Sequence, residues 1–172
     1  MAVTVKKQVH AESTDGAGAA PNTETVQIDN GQGLPIAGTP MFRAADGYWD
    51  VVATNGVVCH GFLAETIDTE KAEGAEIRIV RAQAGTRYVI RCDHDDTDKE
   101  IVQASVGNSF GVTVSAVAGS VGYTTLNLNE ASTVLFSVVD IMYNKEPLKY
   151  ALADAPGTAI VTLLAAALLP SG

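Results

Sequence analysis

Turn signals recur at short intervals along this chain and separate short runs of Val, Ile, Thr and aromatic residues. Asp46-Gly47, Asn55-Gly56 and Gly107-Asn108 are three of them. Asp-Gly or Asn-Gly between two apolar runs is a strong hairpin signal. Short strands separated by frequent turns are typical of β-sandwiches and β-barrels. The sequence therefore predicts an all-β fold, either a β-barrel or a β-sandwich, with an extended N-terminal arm.

The second half of the chain carries the same pattern. Segments 130–138 and 159–168 also admit a helical interpretation. Thr and Val favour a strand in 130–138, whereas the Ala- and Leu-rich segment 159–168 is too short for periodicity to decide. The strands predicted in this half are 110–117, 123–128, 134–143, 149–152 and 159–168.

Segment 74–92 has the pattern of two strands joined by a turn, with Gly85 suited to the left-handed position. Apolar side chains alternate with polar ones on both arms. We interpret the segment as a β-hairpin that organises the fold. Four of the five arginines of the chain lie in it, although the formal net charge of the protein is -9. They are Arg78, Arg81, Arg87 and Arg91.

These arginines have two interpretations. Each one alone suits a surface ion pair with Glu76, Asp93 or Asp95, which contributes little stability. Together they suit a set of fork-shaped donors for carboxylates on a partner protein. We favour ion pairing for a single arginine and a partner contact for the cluster.

The first 30 residues are predicted to form the arm, and 31–172 a β-domain that could be subdivided near the acidic connector 93–100. Segment 1–24 is polar and rich in small residues, so alone it cannot bury enough apolar area to offset its ordering entropy. It is either a floppy terminus or an arm that orders against a neighbour. Val26 and Ile28 alternate with polar residues, as in a strand that adds to an existing sheet.

Composition excludes several classes of function. Apolar residues make up 47% of the chain and charged residues 18%, which indicates a globular protein. A pI of about 4.6 argues against a nucleic-acid partner, which would require clustered positive charge. The most apolar segment, 159–169, is well short of the roughly 20 residues that span a bilayer. No membrane association is expected, and synthesis in the cytoplasm is the default.

Metal and catalytic motifs are weak. Cys59-His60 and Cys92 with His94 contain zinc-ligand types, but adjacent residues on a strand point to opposite faces, so a buried thiol is the better interpretation. The acidic connector offers carboxylates for calcium but lacks the EF-hand pattern. No nucleophile, metalloprotease or nucleotide-binding motif is present. We expect no enzyme activity, no cofactor and no metal site.

The order of motifs from residue 38 onward resembles a known family. Gly-Thr-Pro-Met-Phe-Arg-Ala-Ala-Asp-Gly is followed by Asn-Gly, Val-Val-Cys-His-Gly-Phe-Leu-Ala and, at 85–90, Gly-Thr-Arg-Tyr-Val-Ile. This order resembles the small β-barrel of tailed-bacteriophage capsid decoration (cement) proteins. The resemblance covers less than a third of the chain, and residues 93–172 match no pattern.

The resemblance implies a structural protein of the virion. It would bind the outer face of an assembled capsid as a homo-oligomer, with a trimer favoured and a dimer possible. It would clamp neighbouring copies of the major capsid protein without chemistry. The arm would reach a neighbour, and 34–40 or the C-terminal Ala-Leu run would serve the oligomer interface. The contact candidates are Arg78, Arg81, Arg87, Arg91, Val26 and Ile28.

An alternative from another class is a carbohydrate- or ligand-binding β-sandwich. Tyr48 and Trp49 would stack on a sugar in this case, and the acidic connector would hold calcium. Core or rim packing is the more common role of one aromatic pair beside a hairpin turn.

Overall fold

Strands make up nearly all regular structure in the parts of the chain that the computed structural model describes, residues 10–11, 23–92, 101, 103–115, 123–142 and 157–169. The other elements there are two short 3-10 turns, Gln103–Ser105 and Ala165–Leu168. None of the helical segments in these ranges is long and apolar enough to cross a membrane. The all-β prediction is confirmed.

The described strands pair in two antiparallel sheets. In chain order they are β1 (His10–Ala11), β2 (Thr23–Gln27), β3 (Pro40–Arg43), β4 (Trp49–Val51), β5 (Gly61–Leu63), β6 (Glu76–Arg81), β7 (Arg87–Arg91), β8 (Ser109–Ser115), β9 (Tyr123–Asn127), β10 (Phe136–Met142) and β11 (Thr158–Leu163).

The smaller sheet has the strand order β2-β6-β5-β3-β4 and curls on itself. A parallel bridge between Ile28, just after β2, and Trp49 on β4 brings its two edges together. Inward-facing apolar side chains of these strands bury one another, as the period of two in a strand requires. We call this cluster the small core; its members are Ile28, Met41, Trp49, Leu63, Ile67, Ile77 and Ile79.

The larger sheet has the order β1-β7-β11-β10-β8-β9. A parallel bridge between Cys92 and Leu126 brings β9 back beside the end of β7, so this sheet is curled as well. Its buried face forms the main core, which includes Tyr88, Ile90 and Phe136. Closing an edge in this way leaves fewer unpaired backbone groups exposed.

Strand β5 joins the two cores because it is buried on both faces. Phe62 belongs to the main core and its neighbour Leu63 to the small core. Successive side chains on a strand point to opposite faces, so the strand lies between the two apolar clusters. The sheets are thus packed together through β5, the central strand of the smaller sheet, which contributes to both cores.

The interpretation of 74–92 as a hairpin is wrong in one respect. Its two strands and its turn are present, with Gly85 at a φ of 77°. However, β6 pairs with β2 and β5, whereas β7 pairs with β1 and β11. The physical reason is that Ile77 and Ile79 of β6 enter the small core, while the inward residues of β7 enter the main core. The turn carries the chain from one sheet to the other.

Two other turn predictions are confirmed. Strands β3 and β4 form the hairpin expected at Asp46-Gly47, with Gly47 at a φ of 96°. Asn55 has a φ of 60°, which suits the predicted Asn-Gly turn. The next strand, β5, is confined to Gly61–Leu63, and Val57 ahead of it is half exposed.

In the second half, 130–138 contains no helix, and Phe136–Met142 is a strand, as predicted. The ambiguous C-terminal run is a strand to Leu163 and then a 3-10 turn. The predicted strand at 149–152 and the acidic connector 93–100, with its calcium alternative, lie outside the described residues.

Two described pieces of the 1–30 arm are strands paired with sheets of this same chain. Strand β1 adds to β7, with His10 opposite Val89, and β2 adds to β6, with Thr23 opposite Val80. Both pieces occupy the outer position of a sheet. Both described strands of the arm are therefore held by backbone pairing within the chain.

Candidate functional site

The four arginines of 74–92 do not form one cluster. Arg78 and Arg81 lie on β6 of the smaller sheet, whereas Arg87 and Arg91 lie on β7 of the larger one. The expectation of a single cluster rested on a hairpin, and these strands do not pair. Three of the side chains are exposed and that of Arg91 is half-buried.

Arg78 forms an ion pair, but not with the predicted partners. Its Nε lies 3.3 Å from Oε2 of Glu65, and its backbone N–H donates to Oε1 of the same carboxylate at 3.0 Å. The side chain of Arg78 is exposed and that of Glu65 is half-buried. Such a pair contributes at most about 1 kcal/mol to stability.

Arg81 is held more firmly. Its Nε lies 2.5 Å from Oε2 of Glu24 and its Nη2 lies 2.9 Å from Oε1, which is a two-point contact between guanidinium and carboxylate. The hydrogen bond from Arg81 lowers the pKa of Glu24, and the same bond raises the pKa of Arg81. The guanidinium also lies over the ring of Trp49, 4.9 Å from its centroid. Arg81 thus presents a cation of fixed orientation.

The ring of Trp49 packs against the guanidinium of Arg81. Its side chain is 2% exposed, with Arg81 on its face and the ring of His60 edge-on at 6.3 Å. A Cβ placed on Gly61 would come within 3.4 Å of the Trp49 ring, so the glycine leaves the space that the indole occupies. The indole is therefore unavailable for stacking on a sugar, as the carbohydrate-binding alternative requires.

Arg43, on the neighbouring strand β3, also lies beside Trp49. It is opposite Trp49 in the register of β3 and β4, and its Nε donates to the carbonyl of Gly47 at 3.3 Å. Sequence reasoning did not select Arg43 as a site residue. The signal was available, because the Asp46-Gly47 hairpin sets Arg43 across from the tryptophan.

These side chains enclose an open cleft of about 400 Å³. We call it the arginine cleft. It is lined by Arg43, Ala44, Ala45, Gly47, His60, Arg81 and Leu168.

His60 forms one wall and has both ring nitrogens engaged with the backbone. Nδ1 accepts the N–H of Arg43 at 2.9 Å, so this nitrogen carries no proton in that bond. The proton of the neutral ring is then on Nε2, which donates to the carbonyl of Leu169 at 3.0 Å. His60 therefore links β3 to the segment after the C-terminal 3-10 turn and offers no further donor to a ligand.

The two apolar contact candidates of the arm lie differently. Val26 is half-buried, pairs with Ile77 and packs against the small core. Ile28 is 1% exposed and is a member of that core. The assignment of Ile28 as a partner contact is therefore wrong, because its apolar side chain is already covered by its own chain.

The thiols are in apolar surroundings. Cys59 is fully buried, its Sγ donates to the carbonyl of Gly61 at 3.3 Å, and burial raises its pKa to about 12. Cys92 is buried as well, and neither thiol takes part in a disulfide. Among the described residues, no group of three or more His, Cys, Asp or Glu side chains is placed to hold a metal ion.

The arginine cleft brings together the groups best suited to recognition. Arg43 and Arg81 supply positive charge and directed donors, and a carboxylate is the natural counterpart of an arginine fork. Comparisons with family models, with curated proteins and with solved structures found no match for this chain.

Proposed function

We propose that this protein is a viral structural protein that binds the outside of an assembled capsid and clamps neighbouring capsid subunits. It acts as a homo-oligomer, with a trimer favoured. Its partner is the major capsid protein, and its place is the surface of the virion. The observation that carries the proposal is the way in which the N-terminal arm is attached to the protein.

Strand β2 is held mainly by its backbone. It pairs with β6 over five positions, from Thr23 opposite Val80 to Gln27 opposite Glu76, yet four of its five residues are exposed. Its one strong side-chain link is the ion pair of Glu24 with Arg81. A segment that binds through main-chain hydrogen bonds can add to any sheet edge of suitable register. The arm is thus built for strand addition, which is the contact that a clamp needs.

The body behind the arm is suited to a mechanical role. Two packed cores share β5, and a bridge brings the two edges of the smaller sheet together. The segment from residue 38 to 85, whose motifs resemble those of decoration proteins, includes four strands of the smaller sheet, β3 to β6. These features support a rigid module that is attached by its arm.

The ligand-binding alternative receives less support. Burial of Trp49 removes its aromatic platform, and Tyr48 alone is half-buried beside the turn. The arginine cleft is open and lacks the apolar, enclosed character of most small-molecule pockets.

The test is cosedimentation with empty heads assembled from the cognate major capsid protein. Full-length protein is compared with a truncation that removes residues 1–22, which keeps all of β2 and the partner of Arg81. We expect the truncated protein to fold, as judged by circular dichroism and melting, and to decorate heads poorly.

Two outcomes would count against the proposal. Failure of the full-length protein to bind heads contradicts the function itself. Equal decoration by the truncated protein contradicts the role of residues 1–22 of the arm. Light scattering of the free protein checks the oligomer, since a monomer would contradict that part of the proposal.

A further inference from the structure

We infer that the arginine cleft is a binding site for a carboxylate, and that it takes an acidic side chain of a protein partner together with an adjacent aliphatic residue. The identity of the protein partner rests on the proposed function. The preference for a carboxylate rests on the residues of the cleft alone.

The charges of the cleft favour an anion. Arg43 and Arg81 are cationic and line the cleft, and Glu24 forms its ion pair with Arg81. The fields of both arginines reach a carboxylate at this place, because Arg81 first and Arg43 in addition lower the pKa of Glu24. Two arginines that both act on a carboxylate at one place, in a protein of net charge -9, favour an acidic group there.

Arg81 has donors beyond those that Glu24 uses. A guanidinium carries five N–H groups, and Glu24 accepts from Nε and Nη2. Within the described part of the chain, the Nη1 amino group has no hydrogen-bond partner. Stacking on Trp49 fixes the plane of the group before a ligand arrives, which reduces the entropy lost on binding.

The shape of the cleft suits a side chain rather than a large ligand. A volume of about 400 Å³ is at the lower end of that of ligand pockets. Ala44, Ala45 and Gly47 leave the opening wide, and Leu168 forms an apolar wall. Leu169, next to it, is 62% exposed, which is the highest exposure of a large apolar side chain in the described part of the chain. An aliphatic neighbour of the bound carboxylate would cover these leucines.

Glu24 acts as an internal competitor in this arrangement. Its carboxylate occupies one edge of Arg81 and cancels one positive charge. Replacing it by the neutral isostere glutamine therefore raises the affinity for an external carboxylate. If Glu24 had only a structural role on the surface, this substitution would not raise the affinity for an external carboxylate.

The experiment is a titration followed by nuclear magnetic resonance at the Trp49 indole N–H. The probe is the capped dipeptide acetyl-Leu-Glu-amide, and acetyl-Leu-Gln-amide is its neutral control. We expect binding of the acidic probe to be about fivefold or more tighter than that of the control, as for loss of one charge-assisted contact. E24Q is expected to tighten acidic-probe binding several-fold, and R43Q to weaken it by a similar factor.

Arg78→Gln is the matched control, because it removes an exposed, ion-paired arginine of the same strand that lies outside the cleft. It should leave the affinity unchanged. The inference is overturned by equal binding of both dipeptides, by an equal loss in R78Q and R43Q, or by unchanged affinity in E24Q.

The two proposals fail separately. If the acidic probe binds the cleft but the full-length protein does not cosediment with heads, the capsid function is wrong and the site stands. If heads are decorated but the probe does not bind, the site is wrong and the function stands.

Discussion

The rings of Phe62 and Tyr88 pack with their centroids 4.6 Å apart, and this contact joins the two sheets. Phe62 comes from β5 and Tyr88 from β7, and Phe136 of β10 lies 6.4 Å from each of them. The Tyr88 hydroxyl also accepts the N–H of Gln83 at 3.3 Å, in the turn that links the sheets. The contact between the two sheets therefore combines aromatic packing with one hydrogen bond to the turn that links them.

Phe62→Ala is expected to lower the free energy of unfolding by about 3–5 kcal/mol, because it leaves a cavity between the sheets. Phe62→Leu keeps most of the apolar volume and should cost only about 1 kcal/mol. Urea unfolding followed by circular dichroism measures both values. A loss below about 1 kcal/mol for the alanine variant would show that the ring does not hold the sheets together.

Gly61→Ala should destabilise the protein by about 1–3 kcal/mol through overpacking. A Cβ at this position would lie 2.9 Å from the carbonyl oxygen of Val80, which belongs to the backbone and cannot move aside cheaply. The backbone movement that makes room for the added methyl group also displaces Trp49, so the fluorescence of the folded protein should change.

The control for this substitution is Gly85→Ala. Gly85 has nothing within 4 Å of its ideal Cβ but a φ of 77°. Its replacement should cost roughly 1 kcal/mol of backbone strain and leave the Trp49 emission unaltered. Equal emission changes in both variants would contradict the steric account.

Both thiols should resist modification in the folded protein. Cys59 and Cys92 are buried, and the pKa of Cys59 is raised to about 12, so little thiolate forms at mildly alkaline pH. A chromogenic disulfide reagent is expected to react with neither in the native state and with both in guanidinium. Rapid labelling of one thiol in the native protein would mean that the residues that bury this thiol unfold locally at little cost in free energy.

Glu130 should titrate well below an ordinary glutamate. Its Oε1 accepts the N–H of Ser132 at 2.6 Å and that of Thr133 at 2.8 Å, as well as the hydroxyl of Ser132. With the hydroxyl bond as the largest cause, these contacts lower its pKa to about 2. A carbon-13 titration of its carboxyl group measures the midpoint.

Stability should follow the same titration. Since the folded pKa is the lower one, the contribution of Glu130 is complete above its unfolded pKa of about 4.3. It is lost as the pH falls towards about 2. Glu130→Gln should make unfolding less dependent on pH in this window. An unchanged pH dependence in the variant would show that the turn does not need the charge.

Strand positions were predictable because alternation is a local signal, whereas strand partners were not. Ile77 and Ile79 have the same pattern as Tyr88 and Ile90, yet the two pairs enter different cores. A period of two identifies a buried face but not the cluster that buries it. The short turn at 82–86 suited a hairpin as well as a crossing between sheets.

The arginine cleft was only partly predictable for the same reason. Arg81 was a candidate from its local excess of charge. Its ion-pair partner Glu24 lies 57 positions away, and the support of Trp49 depends on the glycine at position 61 of a neighbouring strand. Arg43 reaches the cleft through the register of a hairpin. Convergence of this kind is a property of the folded sheet.

The passage of the chain from one sheet to the other at 82–86 also bears on how the protein folds during synthesis. Strands β6 and β7 are neighbours in sequence but cannot pair with each other, so neither gains stability from a fast local closure. The earlier strands β1 and β2 find their places only on β7 and β6, which leave the ribosome much later. Strand β2 of the nascent arm therefore has no sheet partner until β6 has been made, and β1 has none until β7 has been made.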